Sequence, residues 1–146
     1  MVKIIYPDKK PSIKMESEVE TVFCIIRKRW VQLTPEEWVR QNFLLYLTES
    51  LGYPAALIAV EKQLTLGELT KRFDAVVYDK QSNPFMIIEC KEMNVPLSEK
   101  VLQQVLRYNM QLQATYLVVT NGSYCEVYKR SGNELEHIGF FPDYGK

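Results

Sequence analysis

The chain has 146 residues, of which 47% are hydrophobic and 25% charged, with 18 basic and 18 acidic side chains. This composition and length are typical of an ordinary globular protein of about one domain and exclude a disordered or fibrous chain. The net charge of zero excludes nucleic-acid binding that relies on an overall positive charge. Three widely spaced cysteines and one histidine exclude a zinc site of ordinary spacing and a disulfide-stapled secreted scaffold. No run of residues is apolar for long enough to span a membrane, so we expect a cytoplasmic protein without a membrane partner.

The first third of the sequence predicts an N-terminal arm, two strands and a helix. Residues 1–18 are polar and contain two prolines, which predicts a loosely attached arm, and residues 19–146 are expected to form a single domain. Residues 19–33 mix β-branched, aromatic and basic side chains, a pattern typical of a strand, a turn and a second strand. A helix then begins with Thr34 as its N-cap and Pro35 in its first position, has Glu37 where a capping box needs it, and stops at Gly52. It presents a broad apolar stripe and should pack on the core.

The middle of the chain predicts a strand within residues 56–64, a connecting loop at 66–71 and then a β-hairpin. Residues 72–78 and 84–91 are rich in Val, Ile and aromatic side chains and are separated by turn formers at 79–83. If the turn is centred between Gln81 and Ser82, Asp74 lies opposite Glu89. Alternation then divides the hairpin into one face that is charged at its far end (Arg72, Asp74, Val76, Tyr78, Phe85, Ile87, Glu89, Lys91) and one apolar face (Phe73, Ala75, Val77, Met86, Ile88, Cys90).

Charged residues interrupt this hairpin where buried strand is expected. Carboxylates opposed at about 4.5–5.5 Å repel each other unless one holds a proton or a cation lies between them. Oxygen ligands favour Mg²⁺ or Mn²⁺, and Lys91, two residues from Glu89 on the same face, can stabilise charge on a nearby water or phosphate. Asp74, Glu89 and Lys91 therefore predict metal-assisted phosphodiester hydrolysis, whereas the alternative is a salt bridge between residues at a strand end.

The remaining basic residues form only local groups, and each has a plain interpretation as solvated surface charge. These groups are Arg27-Lys28-Arg29 with Arg40, Lys71-Arg72, and Lys100 with Arg107.

Two motifs resemble those of a known nuclease superfamily. Asp74 followed by Glu89-Cys90-Lys91 resembles the D…(D/E)xK signature of PD-(D/E)XK nucleases, and residues 104–108, within a predicted helix in 98–116, are similar to their QxxxY motif. A strand at 115–120 and a hairpin turn at Asn121-Gly122 follow in the same order. From about residue 27 to 129 the chain resembles the N-terminal nuclease domain of type I restriction enzyme restriction subunits. The resemblance implies an α/β fold with a restriction-endonuclease-like αβββαβ core, in which helices flank a central mixed sheet.

The resemblance also implies roles for individual residues. Asp74 and Glu89 would be metal ligands together with the backbone carbonyl of Cys90, and Lys91 would orient or activate the attacking water. Glu37 is the best match to an acidic residue that the family often carries on its first helix, although a capping-box glutamate is the alternative. The residues expected to support the active site and DNA are Gln104 and Tyr108, and the candidate DNA-contacting cations are Arg72, Lys100 and Arg107.

Two functions follow as expectations. One is a DNA endonuclease dependent on Mg²⁺ or Mn²⁺, acting in restriction or in a related defence or repair pathway. The other is a nuclease-fold module that binds DNA or a partner protein without cutting. The expected partners are DNA, a second copy of the chain, because a symmetric dimer is the simplest way to cut both strands, and a helicase or other nuclease-associated subunit.

Overall fold

The computed structural model describes residues 1–66, 68–110 and 113–145. Within these residues the elements follow in the order β1 (Val2–Lys3), β2 (Ile13–Glu16), β3 (Val19–Cys24), β4 (Arg29–Gln32), α1 (Pro35–Leu45), a π-helical turn (Tyr46–Ser50), a 3-10 turn (Ala55–Leu57), β5 (Ile58–Leu66), β6 (Leu69–Tyr78), β7 (Pro84–Cys90), α2 (Glu99–Asn109), β8 (Tyr116–Thr120), β9 (Tyr124–Ser131) and β10 (Glu134–Ile138). No helix in the described part of the chain is long and apolar enough to cross a membrane.

A mixed sheet forms the centre of the fold. Its strands lie in the order β1-β9-β8-β7-β6-β5, and β10 also pairs with β9. β7 and β8 are parallel, which requires the crossover that α2 supplies, and the other pairs in this sheet are antiparallel. A separate antiparallel sheet has the order β2-β3-β4. The sequence α1-β5-β6-β7-α2-β8 confirms the predicted α/β fold with an αβββαβ core and a central mixed sheet.

The two helices cover opposite faces of this sheet, because alternate side chains of β6 and β7 point to opposite sides. The first core cluster joins α1 to one face through buried apolar side chains that include Val39, Phe43, Leu44, Ala75, Val77 and Ile88. The second core cluster joins α2 to the other face, and its members include Val105, Val76, Ile87 and Leu117. The end of the β6–β7 hairpin therefore lies between two helix-covered faces.

The predicted register of the β6–β7 hairpin is confirmed. Ala75 pairs with Ile88 and Val77 with Met86, as this register requires. The observed pairing ends at Ala75 and Ile88, so the direct opposition of Asp74 and Glu89 stays a prediction. Near the turn the register shifts between Val77 and Tyr78, which leaves Phe85 as an extra residue on β7.

Two side chains of the hairpin lie on the face opposite to the predicted one. Phe85 joins the first core cluster, because the bulge interrupts simple alternation, and Phe73 joins the second. Phe73, which pairs with Lys62, lies next to an irregular part of the β5–β6 ladder, where Glu61 has a left-handed backbone with φ of 54°.

The N-terminal residues 1–18 are not the loosely attached arm that their composition predicts. β1 pairs with β9 and β2 pairs with β3, and Ile4 is buried in the first core cluster. The hydroxyl of Tyr6 also donates a hydrogen bond to the carbonyl of Gly122. Backbone hydrogen bonding at a sheet edge does not require apolar side chains, which explains why composition misses these strands.

Three element boundaries also differ from those predicted. The predicted loop at 66–71 is mostly strand, because β5 extends to Leu66 and β6 begins at Leu69, while position 67 lies outside the described residues. The second helix ends at Asn109, well before the end of the stretch 98–116. The first helix passes into a π-helical turn that ends at Ser50, close to the predicted stop at Gly52.

Candidate functional site

Asp74 and Glu89 meet at the end of the β6–β7 hairpin that is remote from its turn. Both side chains are largely buried, and Asp74 Oδ2 accepts a hydrogen bond of 2.7 Å from the backbone amide of Cys90. Burial raises the pKa of Glu89, the negative charge of Asp74 raises it further, and the ammonium groups of Lys71 and Lys91 act in the opposite direction. The two predicted carboxylates and Lys91 therefore influence one another, as expected of a shared site.

Each of the two carboxylates has a basic side chain of the protein beside it. Arg40 Nη1 lies 3.4 Å from Asp74 Oδ1, and Lys71 Nζ lies 3.1 Å from Glu89 Oε1. The Arg40 side chain is only 8% exposed and that of Lys71 20% exposed. Neither is the solvated surface charge that the sequence analysis predicts. Arg40 lies three residues after Glu37 on the same helix face. This spacing indicates the ion pair with Glu37, whereas no local feature of the sequence indicates the contact of Arg40 with Asp74.

Glu37 is the centre of a buried ion-pair network on α1. Its carboxylate accepts hydrogen bonds from Arg40 at 2.6 and 2.9 Å, from Arg27 at 3.1 Å and from Gln41 at 2.9 Å. Burial alone would raise the pKa of Glu37, but the hydrogen bonds from Arg40 and Gln41 and the positive charge of Arg40 outweigh it and lower the pKa to about 2. The amide of Glu37 donates to Thr34 Oγ1 at 3.0 Å, so half of the predicted capping box is formed.

Glu36, rather than Glu37, is the acidic residue of α1 that lies beside Asp74. The pKa of Glu36 is raised by partial burial and by the negative charge of Asp74, while the positive charges of Arg40 and Lys91 act to lower it. The structure places Arg40 between Glu37 and Asp74 and does not bring Glu37 to the carboxylate pair. Adjacent residues of an α-helix point in directions about 100° apart. Choosing Glu37 in place of Glu36 therefore selects a side chain that points away from Asp74.

A cavity of about 260 Å³ opens beside Glu89, between β7 and α2. Ser98 caps α2 by accepting a hydrogen bond from the amide of Val101 at 3.3 Å, and positions three or four apart along the helix then face the same side. The residues lining the cavity are Lys71, Glu89, Lys91, Val101, Gln104, Val105, Tyr108 and Asn109. Four of the residues predicted as catalytic, Glu89, Lys91, Gln104 and Tyr108, are therefore brought together.

The three candidate DNA-contacting cations lie on the surface. Arg72, Lys100 and Arg107 are all exposed, and the cavity lining that the described residues form does not include them. Lys100 and Arg107 lie four residues before and three residues after Gln104 on α2, so they flank the helix face that reaches the cavity. Lys71, which the sequence analysis placed in a loop, is the cation of this strand that lines the cavity.

The residues present fit a divalent cation with oxygen ligands. Glu89 Oε1 is buried and accepts no hydrogen bond of acceptable geometry, even though Lys71 Nζ is close, and an unsatisfied buried carboxylate oxygen is costly. Mg²⁺ and Mn²⁺ bind such oxygens and commonly take one or two protein carboxylates with water and phosphate oxygens as further ligands. Among the described residues no three Asp, Glu, His or Cys side chains converge to hold a metal ion. Asp74 and Glu89 would hold the cation, with the predicted carbonyl of Cys90, water and substrate supplying the other ligands.

One family of known proteins matches most of the chain. The family model described as type I restriction enzyme R protein N terminus matches residues 35–142. None of the curated proteins compared with the sequence matches it. Among solved structures, the type IIG restriction endonuclease BpuSI is similar with 20% identity and a TM-score of 0.44, over 65% of this chain and 11% of its own. A putative nuclease from Anabaena variabilis is similar with 13% identity and a TM-score of 0.46, over 85% of this chain and 79% of its own. The match of the family model over most of the sequence shows that the chain belongs to the family of type I restriction enzyme R protein N termini.

Proposed function

We propose that the protein is a DNA endonuclease that depends on Mg²⁺ or Mn²⁺ and acts in restriction or in a related defence or repair pathway. The observation that carries this proposal is that Glu89 and Lys91 line one cavity with Gln104 and Tyr108, while Asp74 accepts a hydrogen bond from the amide of Cys90, which lies between Glu89 and Lys91 in the chain. Membership of a restriction-enzyme family supports a nuclease-like role and DNA as the substrate.

The residues of the cavity have distinct tasks in phosphodiester hydrolysis. When bound, a divalent cation supplies polarisation of the phosphate and a lower pKa for water. Lys91 lines the cavity, and its ammonium can orient the attacking water. The oxygen of this water bonds to phosphorus as the bond to the departing ester oxygen breaks. The water releases a proton to solvent, and the departing oxygen takes up a proton from solvent. The amide of Gln104 and the hydroxyl of Tyr108 supply hydrogen-bond donors to the phosphate oxygens.

The exposed cations around the cavity are proposed to position the DNA. Lys100 and Arg107 on α2, together with Arg72 on β6, would contact the phosphate backbone, which supplies affinity without sequence information. Cleavage of both strands would use a homodimer, with one site for each strand. A helicase or other nuclease-associated subunit would bring the site to its target.

A second candidate is a nuclease-fold module that binds DNA or a partner protein without cutting. The specific observation in its favour is that Arg40 and Lys71 already lie beside Asp74 and Glu89, so both carboxylates have internal counter-ions. Such a module needs no divalent cation to neutralise its buried charges.

Cleavage of supercoiled plasmid and single-stranded DNA in Mg²⁺, Mn²⁺ or chelator separates the two candidates. The wild type should nick DNA only with metal, and Asp74→Asn and Lys91→Ala should each lower the rate by at least about 100-fold. Lys80→Ala is the matched control, because Lys80 is exposed in the turn at the other end of the hairpin, and it should cut at the wild-type rate. A folded wild type that binds DNA but cuts it with neither metal would refute the endonuclease and favour the second candidate.

A further inference from the structure

Lys71 connects three parts of the candidate site. It lies on β6, yet its ammonium is 3.1 Å from Glu89 on β7 and donates a hydrogen bond of 2.9 Å to Asn109 Oδ1 on α2. The ammonium also lies 4.8 Å from the centre of the Tyr108 ring and 5.0 Å from that of Phe73. A cation held among an anion, an amide and two aromatic faces is electrostatically stabilised in this position.

The attachment of Lys71 to Asn109 does not depend on Glu89. Asn109 is completely buried, and its Nδ2 donates a 2.7 Å hydrogen bond to the carbonyl of Val105, which directs Oδ1 towards Lys71. The contact of Lys71 with Glu89 is an ion pair in which Nζ lies 3.1 Å from Oε1. Lys71 is therefore anchored to α2 by a hydrogen bond that remains when its ion pair with Glu89 is broken.

The other carboxylate has a counter-ion of a different kind. Arg40 is fixed to Glu37 by hydrogen bonds of 2.6 and 2.9 Å and is almost fully buried, so it has little freedom to leave Asp74. Lys71 is more exposed, has a flexible stem, and would retain Asn109 as a partner if it moved away from Glu89. Of the two ion pairs, the one between Lys71 and Glu89 is the one that an incoming cation can replace.

We propose that Lys71 is a positioning residue that acts as the built-in counter-ion of Glu89 and competes with a divalent cation for this carboxylate. The inference rests on the metal dependence proposed above. When a cation binds, Lys71 remains attached to Asn109 and presents a free N–H to the cavity, where a phosphodiester oxygen can accept it. Without nucleic acid, two positive charges then share the pocket, so the wild type binds a divalent cation weakly.

Titration of the purified protein with Mn²⁺ alone, with free Mn²⁺ measured by electron paramagnetic resonance, tests this competition without DNA or cleavage. Lys71→Gln and Lys71→Met remove the ammonium, and Met keeps an apolar stem against Phe73 and Tyr108. Both should bind Mn²⁺ at least about tenfold more tightly than the wild type, because one positive charge within a few ångströms is lost. Lys71→Arg should keep the wild-type affinity, and Lys80→Gln, which removes an exposed charge far from the site, should change it less than about twofold.

Adding Glu89→Gln to Lys71→Gln should abolish the tighter binding, since the competition is for this carboxylate. An unchanged or weaker Mn²⁺ affinity in both Lys71→Gln and Lys71→Met, with normal circular dichroism, overturns the inference and leaves the metal site of the proposed function intact. If neither the wild type nor any variant binds Mn²⁺, both the inference and the metal dependence of the proposed function are refuted. Binding by Lys71→Gln and Lys71→Met but not by the wild type supports the inference in its strongest form.

Discussion

Replacing Glu37 with glutamine tests whether this residue is the anionic centre of a structural network. The substitution preserves the shape of the side chain and removes its charge, which leaves Arg27 and Arg40 buried beside a neutral amide. The structure predicts a large loss of stability at neutral pH and no direct loss of a metal ligand.

The size of the effect follows from two independent arguments. The difference between the ordinary pKa of Glu37, 4.5, and its value of about 2 corresponds to roughly 3 kcal/mol of preferential stabilisation of the charged form. The side chain is almost fully buried, so solvent screening does not reduce this figure much. Loss of one partner from a buried ion pair costs about 3–5 kcal/mol in other proteins. We therefore expect Glu37→Gln to lower the free energy of unfolding by about 3 kcal/mol at pH 7.

The stabilisation that Glu37 provides depends on pH, because its pKa is lower in the folded state than in the unfolded chain. The folded state holds Glu37 ionised at pH values where the unfolded chain already binds a proton, so this stabilisation is complete above about pH 4.5 and decreases as the pH falls towards 2. Between pH 7 and pH 3 the wild type should lose about 2 kcal/mol of stability relative to Glu37→Gln, because the variant has no carboxyl group to protonate.

Urea denaturation at pH 7, 5, 4 and 3 measures this difference. Glu36→Gln is the matched control, because Glu36 is the neighbouring residue, is exposed, and lies beside the negative charge of Asp74. Its removal should be neutral or slightly stabilising at pH 7. A loss of less than about 1 kcal/mol for Glu37→Gln, or a pH profile parallel to that of the wild type, would refute the reasoning.

Two further substitutions test the corrected fold. Gly122→Ala should lower the free energy of unfolding by about 1–2 kcal/mol, because φ is +92° and a Cβ would lie 3.3 Å from Val39 Cγ2. Gly139→Ala is the control, since a Cβ there would have open space, and it should be nearly neutral in the same urea denaturation. Equal effects of the two substitutions would contradict the proposed strain at Gly122. Ile4→Ala should lower the free energy of unfolding by about 2–5 kcal/mol, because Ile4 is only 6% exposed and lies in the core. Ile5→Ala, at a position that is 75% exposed, should lower it little. Similar small losses for both substitutions would favour the loosely attached N-terminal arm that the composition predicts.

The register of the β6–β7 hairpin is a feature that the local sequence pattern predicted correctly. Turn formers between two short apolar runs were sufficient to predict the register in which Ala75 pairs with Ile88 and Val77 with Met86, because side-chain period and turn position together determine strand register. The cap at Thr34 and the common helix face of Gln104 and Tyr108 were predicted on equally local grounds. In these cases each partner lies within a few residues or directly across one turn.

The errors concern contacts between distant segments. Edge pairing of β1 with β9 joins opposite ends of the chain, and the sequence of β1 carries no sign of that partner. The sequence predicted Lys71 and Arg40 to be surface cations, whereas in the folded protein Lys71 contacts Glu89 and Arg40 contacts Asp74. The bulge that turns Phe85 into the first core cluster likewise depends on how two strands pair, which residue type does not reveal.

The sequence by itself determined the hairpin register and the cap at Thr34 through turn chemistry and short-range periodicity, while its resemblance to a nuclease family gave the fold class and the motifs that carry Asp74, Glu89, Lys91, Gln104 and Tyr108. Only the tertiary structure decided which glutamate of α1 lies beside Asp74 and which cations neutralise the pair. Those outcomes depend on the rotation of α1 about its axis and on its packing against the sheet. Rotation and packing are set by the whole core, so no local stretch of sequence contains them.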